Sequence, residues 1–324
     1  MARPSWPCFH GLEARAAIRL KCYDFNLFGS GRAGSGKDFR LVSSGILKAA
    51  VCQFPVSSDI DYNARQIAGL ARRAAEKGAD IAHFPECALS GYAGTDFESF
   101  DNYNWPLLKE KTLEIMALAR ELGIWLVLGS SHRLTEPNKP HNSLYLINPE
   151  GKIADRYDKR FCTEIDLANY TPGNRFVVFD INGVRCSLLI SFDLRFPEIY
   201  RALYKTGVRC IFQSFYNARQ KGPSIHSEIM RQTAQAHAAI NNFWISLSNS
   251  CAWFCPYSSC FIQPDGRIID QLPEHTEGVS VNTINLAETF YDPSAPYRDL
   301  AIDGILTNGP QVLDDPRSTD ATSL

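Results

Sequence analysis

The chain has 324 residues, 33 basic against 35 acidic side chains and 45% hydrophobic residues, enough to bury a core as one large domain or two ordinary ones. That excludes a disordered chain and a disulfide-stapled miniprotein. A net charge of -2 and a pI near 6.4 leave no basic footprint for phosphate backbones or anionic lipid, so neither nucleic acid nor membrane is an expected partner.

No run approaches about 18 consecutive apolar residues, and the start of the chain lacks the basic segment followed by an apolar run that marks a secretory signal. A cytoplasmic setting with reduced thiols is expected. Ten cysteines are scattered through apolar or strand-like surroundings rather than at disulfide-framework spacing. Cys251, Cys255 and Cys260 form the only cluster, and without a C-x-x-C knuckle or an H-x3-5-H partner no metal site is expected there.

Residues 1–45 carry seven basic and three acidic residues and no sustained apolar period, and read as a flexible N-terminal extension. Their Gly31-Arg32-Ala33-Gly34-Ser35-Gly36-Lys37 run fits a phosphate loop, but Asp38 stands where a hydroxyl should hold magnesium. A linker or an organelle-targeting extension fits better. From residue 46 strands alternate with helices: a strand at 46–53, a helix at 61–77 and a short buried strand at 79–84. A helix near 106–122 leads to a strand at 124–128. Hairpins follow, 142–148 with 152–157 and 176–181 with 184–190, the second turning at Asn182-Gly183. A helix from Pro197, a strand at 208–213, a helix at 226–241, a strand at 243–248 and a hairpin at Asp265-Gly266 complete the pattern. The expected organisation is one α/β domain over 46–291 and a Pro/Asp/Ser-rich tail over 292–324 that wraps the surface or a partner subunit.

Three segments place a reactive side chain where a buried strand ends. In His83-Phe84-Pro85-Glu86 a carboxylate follows a strand, costly to bury unless paired or protonated. Glu86 is therefore either a general base or a partly exposed cap of the next turn. Lys159, in Arg156-Tyr157-Asp158-Lys159-Arg160-Phe161, reads as a solvated face unless a partner gives it meaning. In Leu188-Leu189-Ile190-Ser191-Phe192-Asp193-Leu194-Arg195-Phe196-Pro197 a strand turns sharply into a helix, projecting a small side chain into a sheet-end crevice. Ser191 there is a nucleophile elbow or a hydroxyl satisfying local backbone.

In this order the segments Phe-Pro-Glu-x-x-Leu-Ser-Gly-Tyr, Tyr-x-Lys with a later Pro-Gly, and x-x-Asp-Leu-Arg-Phe-Pro-Glu resemble the nitrilase superfamily of carbon-nitrogen hydrolases over residues 46–286. The resemblance implies a four-layer αββα sandwich that assembles as a homodimer or higher oligomer. It implies hydrolysis of a small linear amide or N-carbamoyl compound without metal or organic cofactor. By that resemblance Glu86 is the general base and Lys159 stabilises the oxyanion. The family's nucleophilic cysteine falls on Ser191. An alcohol is a far weaker acid than a thiol, so impaired turnover is expected, and a non-catalytic protein that binds small amides or acts in an interaction is the alternative. A second acid positions the lysine in this family; of Glu164 and Asp166, spacing from Pro172-Gly173 favours Asp166. The Phe192 N–H is the expected second oxyanion donor, and Phe161, Phe215 and Tyr216 are candidate acyl-pocket residues.

Overall fold

The computed structural model describes residues 44–322. The expected N-terminal extension, with its glycine-rich motif, lies outside the described residues up to residue 43. Within them, β1 (Ile46–Gln53) is buried throughout from Ala49, as a central strand covered on both faces must be. The helix α1 (Ile60–Glu76) is capped by Asp59, which accepts from Tyr62 N, and buries the stripe Ile67, Leu70, Ala71 and Ala74. Next come β2 (Ile81–His83), α2 (Trp105–Leu122), β3 (Trp125–His132), β4 (His141–Ile147), β5 (Ile153–Asp158) and α3 (Glu164–Asn169). The second half runs β6 (Val178–Ile181), β7 (Val184–Ile190), a 3-10 turn (Ser191–Arg195), α4 (Pro197–Lys205), β8 (Cys210–Phe215), α5 (Ile225–Asn241) and β9 (Trp244–Asn249). It closes with β10 (Cys260–Ile262), β11 (Ile268–Gln271), β12 (Gly278–Asn285), α6 (Ala295–Ile302) and α7 (Pro316–Thr319).

The strands form two six-stranded sheets, β12-β1-β2-β3-β4-β5 and β11-β10-β9-β8-β7-β6. Each has three parallel strands at its centre, β1-β2-β3 and β7-β8-β9, with antiparallel strands outside them. Leu47, Ile81, Val127 and Leu144 of one sheet share a core with Leu188, Ile211 and Ile245 of the other and with Leu203 and Ala234 of α4 and α5. A second core packs α1 and α2 on the outer face of the first sheet through Ile67, Leu70, Ile115 and Leu118 against Leu126 and Leu128. The result is the αββα layering expected from the sequence.

Four elements, β12, α3 and the tail helices α6 and α7, escape the sequence reading, the first two for identifiable reasons. In β12, Val279 and Val281 pack with the outer core while Ile284 joins the inner one, so the apolar positions keep no single alternation. Eight register pairs with β1 hold it instead. The six-residue α3 leaves Ile165 and Leu167 exposed, so no amphipathic stripe announces it. In the tail, Arg298 Nε donates to Ile240 O at 2.7 Å, seating α6 on the end of α5, and residues 303–322 are exposed. No helix among the described residues is long and apolar enough to cross a membrane.

Candidate active site

β2, β3 and β5 all run toward one edge of the first sheet, since β4 reverses direction between β3 and β5. The residues following β2 and β5, and those starting β4, therefore meet there. Glu86 lies three residues past β2 and is 1% exposed. Its turn continues through Cys87 at a φ of 54° and packs on β3 only because position 129 is glycine. A Cβ at Gly129 would come within 2.0 Å of the Pro85 carbonyl oxygen. Lys159, one residue past β5, is equally buried, and its Nζ lies 2.8 Å from Glu86 Oε1 and 2.9 Å from Asp166 Oδ2. Gly173 closes over the same backbone: its N–H donates to Lys159 O at 2.8 Å, and a Cβ would fall 2.3 Å from Asp158 O.

Asp166 is the inward residue of the cap that starts α3. Its Oδ2 accepts from Thr163 N at 2.8 Å and Thr163 Oγ1 at 3.0 Å, and Tyr92 OH donates to Oδ1. Glu164 is exposed. Asn142, at the start of β4, donates through Nδ2 to Glu86 Oε1 at 2.7 Å. Both hydrogen bonds to Glu86 thus land on Oε1, leaving Oε2 without a donor among the described residues.

One ammonium serves two carboxylates here, and the surrounding donors decide how they divide it. Burial pushes the Asp166 carboxyl up, but the Lys159 charge, the Tyr92 hydroxyl and Thr163 outweigh it and hold the group below its ordinary value. Glu86 goes the other way. Burial raises it, the neighbouring Asp166 charge adds to the rise, and Lys159 and Asn142 do not cancel the sum. For Lys159 burial favours the neutral amine, yet Glu86 and Asp166 together raise the group above its ordinary value. The site holds a cation, a carboxylate held below its ordinary value and a second carboxyl raised above it, two acids pushed apart by their surroundings.

Ser191 follows β7 at a φ of 39°, in the left-handed region where a side chain costs about 1–3 kcal/mol, and is 9% exposed. Ile190 pairs with Ser214 of β8, and the carbonyl of the next residue, Phe215, accepts from Glu86 N at 3.2 Å. The elbow and the Glu86 segment therefore both flank the end of β8. Ser191 Oγ makes no hydrogen bond among the described residues. Phe192 meets Phe196 edge-on at 5.4 Å, and half-exposed Phe161 stacks on the same ring at 3.6 Å. Tyr216 stacks on Tyr92 at 4.8 Å and donates to Asp96 Oδ1 at 2.6 Å. Phe215 offers the site its carbonyl; its ring is enclosed against Tyr257.

Sequence reasoning missed Asn142 and Tyr92. Asn142 is the buried middle residue of the polar His141-Asn142-Ser143 run that opens β4 ahead of Leu144–Ile147, a signal available but unused. Tyr92 ends the Leu-Ser-Gly-Tyr motif, and only its approach to Asp166 gives it meaning. Cys87, beside Glu86, lies 3.5 Å from Asn142 Oδ1 and 3.7 Å from Tyr170 OH; burial pushes its thiol well above the usual range, so it is no poised thiolate.

The chain belongs to the carbon-nitrogen hydrolase family, whose pattern matches residues 48–290. An omega-amidase of Xenopus tropicalis is 26% identical over 236 residues, spanning 68% of this chain and 83% of that protein. Among solved structures, a cysteine-to-alanine mutant of the Nesterenkonia AN1 amidase from the nitrilase superfamily superposes with a TM-score of 0.65 at 22% identity, over 78% of this chain and 93% of that one. A cysteine-to-serine mutant of that amidase gives 0.64 at 23% identity, over 76% and 93%. At such identities these structures speak to the fold alone. The nitrilase-superfamily resemblance, the fold class and the amidase-like hydrolase class expected from the sequence all hold.

Proposed function

We propose that this chain is a hydrolase scaffold for small linear amides or N-carbamoyl compounds, with Glu86 as base, Lys159 as charge partner of the oxyanion and residue 191 as nucleophile. The observation that carries the reading is the division of labour on Glu86. Oε1 is held by Lys159 and Asn142 at 2.8 and 2.7 Å, while Oε2 is unoccupied by any donor of the described residues and available to a proton.

In the reaction the Ser191 Oγ–C bond forms as Glu86 takes the hydroxyl proton. The substrate carbonyl becomes an oxyanion facing the Lys159 ammonium and the Phe192 N–H. The C–N bond then breaks as Glu86 returns the proton to nitrogen and ammonia leaves. Water, deprotonated by Glu86, attacks the resulting ester, and Ser191 recovers its proton as the acid is released. Asp166 keeps the lysine charged and in place. With an alcohol in place of a thiol the first step is slow, so turnover is impaired.

A second reading, a non-catalytic protein that binds small amides, is favoured by the Ser191 hydroxyl, which no base contacts. Incubation with short amides and carbamoyl compounds, followed by ammonia assay and intact-protein mass spectrometry, separates the two. Steady ammonia or a stalled acyl adduct supports the hydrolase; saturable binding with neither supports the binder.

A further inference from the structure

Asp193 plays no part in the chemistry above, yet its hydrogen bonds all lead to the residues that flank it. The side chain is wholly buried and forms no ion pair among the described residues. Its Oδ2 accepts from Ile190 N at 3.0 Å and from Tyr157 OH at 2.8 Å, and its Oδ1 accepts from Phe161 N at 3.0 Å. Tyr157 and Phe161 stand two residues to either side of Lys159. Ile190 immediately precedes Ser191, and Asp193 itself is two residues beyond it.

We infer that Asp193 is a positioning residue that sets the nucleophile-bearing turn against the Lys159-bearing strand end, fixing the relation of the ammonium to residue 191. The inference rests on the proposed roles of Lys159 and residue 191. A local cap for the 3-10 turn would need only the Ile190 bond. The other two bonds reach across 36 and 32 residues of sequence and clamp both sides of one lysine. Two of these donors meet one carboxylate oxygen and the third meets the other, so both oxygens must accept. An amide of the same shape would turn an NH2 group toward at least one donor, breaking a bond and leaving a buried group unsatisfied. Without a cation in contact, burial raises the Asp193 carboxyl, and the three donors are what offset that cost. An apolar residue would fill the same space without the cost but could not orient the two segments.

The test uses the full chain carrying Ser191→Cys, whose new thiol reports its surroundings through the pH dependence of alkylation by iodoacetamide, read at residue 191 by peptide mass spectrometry because the chain carries ten other cysteines. With Lys159 correctly placed, the ammonium favours the thiolate. Adding Asp193→Asn is expected to slow alkylation at pH 7 about tenfold and move its inflection up by about one pH unit. Tyr157→Phe, which removes a single donor, is expected to shift it the same way by less, and it serves alone where Asp193→Asn does not fold. Lys159→Gln tests the underlying assignment: if it leaves alkylation unchanged, the lysine does not face residue 191 and the inference falls with that assignment. If Lys159→Gln slows alkylation while folded Asp193→Asn and Tyr157→Phe do not, Asp193 is only structural and the inference is overturned by itself.

Discussion

Glu86 and Asp166 share one ammonium, with Lys159 Nζ 2.8 Å from the first and 2.9 Å from the second. Because Asp166 also collects the Tyr92 and Thr163 donors, it keeps the negative charge, and Glu86 is left with the raised carboxyl.

The pH profile of hydrolysis should carry that asymmetry. If Glu86 is the base it must be ionised, so in the Ser191→Cys protein kcat/KM should fall on the acid side through a limb above the ordinary glutamate value of about 4.3. Asp166→Asn removes the repelling charge and should move the limb down. Asn142→Ala removes a donor to the ionised form and should move it up. Limbs that shift together, or a limb at or below pH 4, would contradict the proposed base.

Stability should show the reverse sign. A carboxyl raised in the folded state stabilises it fully below the unfolded-state value, and that contribution is lost as pH rises through the folded-state one. Glu86→Gln removes the group. Its melting temperature relative to the unsubstituted chain should therefore rise from pH 4 to pH 8, while hydrolysis is abolished. Scanning calorimetry at the two pH values checks this; a relative loss at pH 8 would mean that the Lys159 pairing outweighs burial.

The glycine that closes over the lysine offers a steric test. A methyl at position 173 would stand 2.3 Å from the Asp158 carbonyl oxygen, so Gly173→Ala must displace the segment that fixes Lys159 O. Denaturant unfolding should show a loss of about 1–3 kcal/mol, the usual cost of overpacking, with kcat reduced in the folded fraction. Unchanged stability and kcat would show that this turn does not brace the lysine.

Much of the candidate site was legible because its reactive side chains stand just beyond strand ends. Glu86 and Ser191 follow buried strands and Lys159 follows β5, which is exposed or half-buried apart from Tyr157, and strand ends can be found from apolar runs and turn residues. What joins them is not local. Asn142 reaches Glu86 across 56 residues and Tyr92 reaches Asp166 across 74, contacts set by the order in which strands enter the sheet. The same limit hid β12, whose place beside β1 depends on pairing between strands more than two hundred residues apart rather than on a period of its own.

If residue 191 is the nucleophile of an otherwise equipped hydrolytic site, Ser191→Cys should reveal it. Cysteine and serine differ by one atom, so the exchange alters chemistry with little repacking. Ammonia release should be measured for both proteins across short amides and carbamoyl compounds, with binding followed in parallel. A gain of about 10³-fold or more is expected for the thiol, on the scale of nucleophile losses in other hydrolases, and it should disappear when Lys159→Ala is added. A folded Ser191→Cys protein that binds these compounds and releases no ammonia would contradict that role of residue 191.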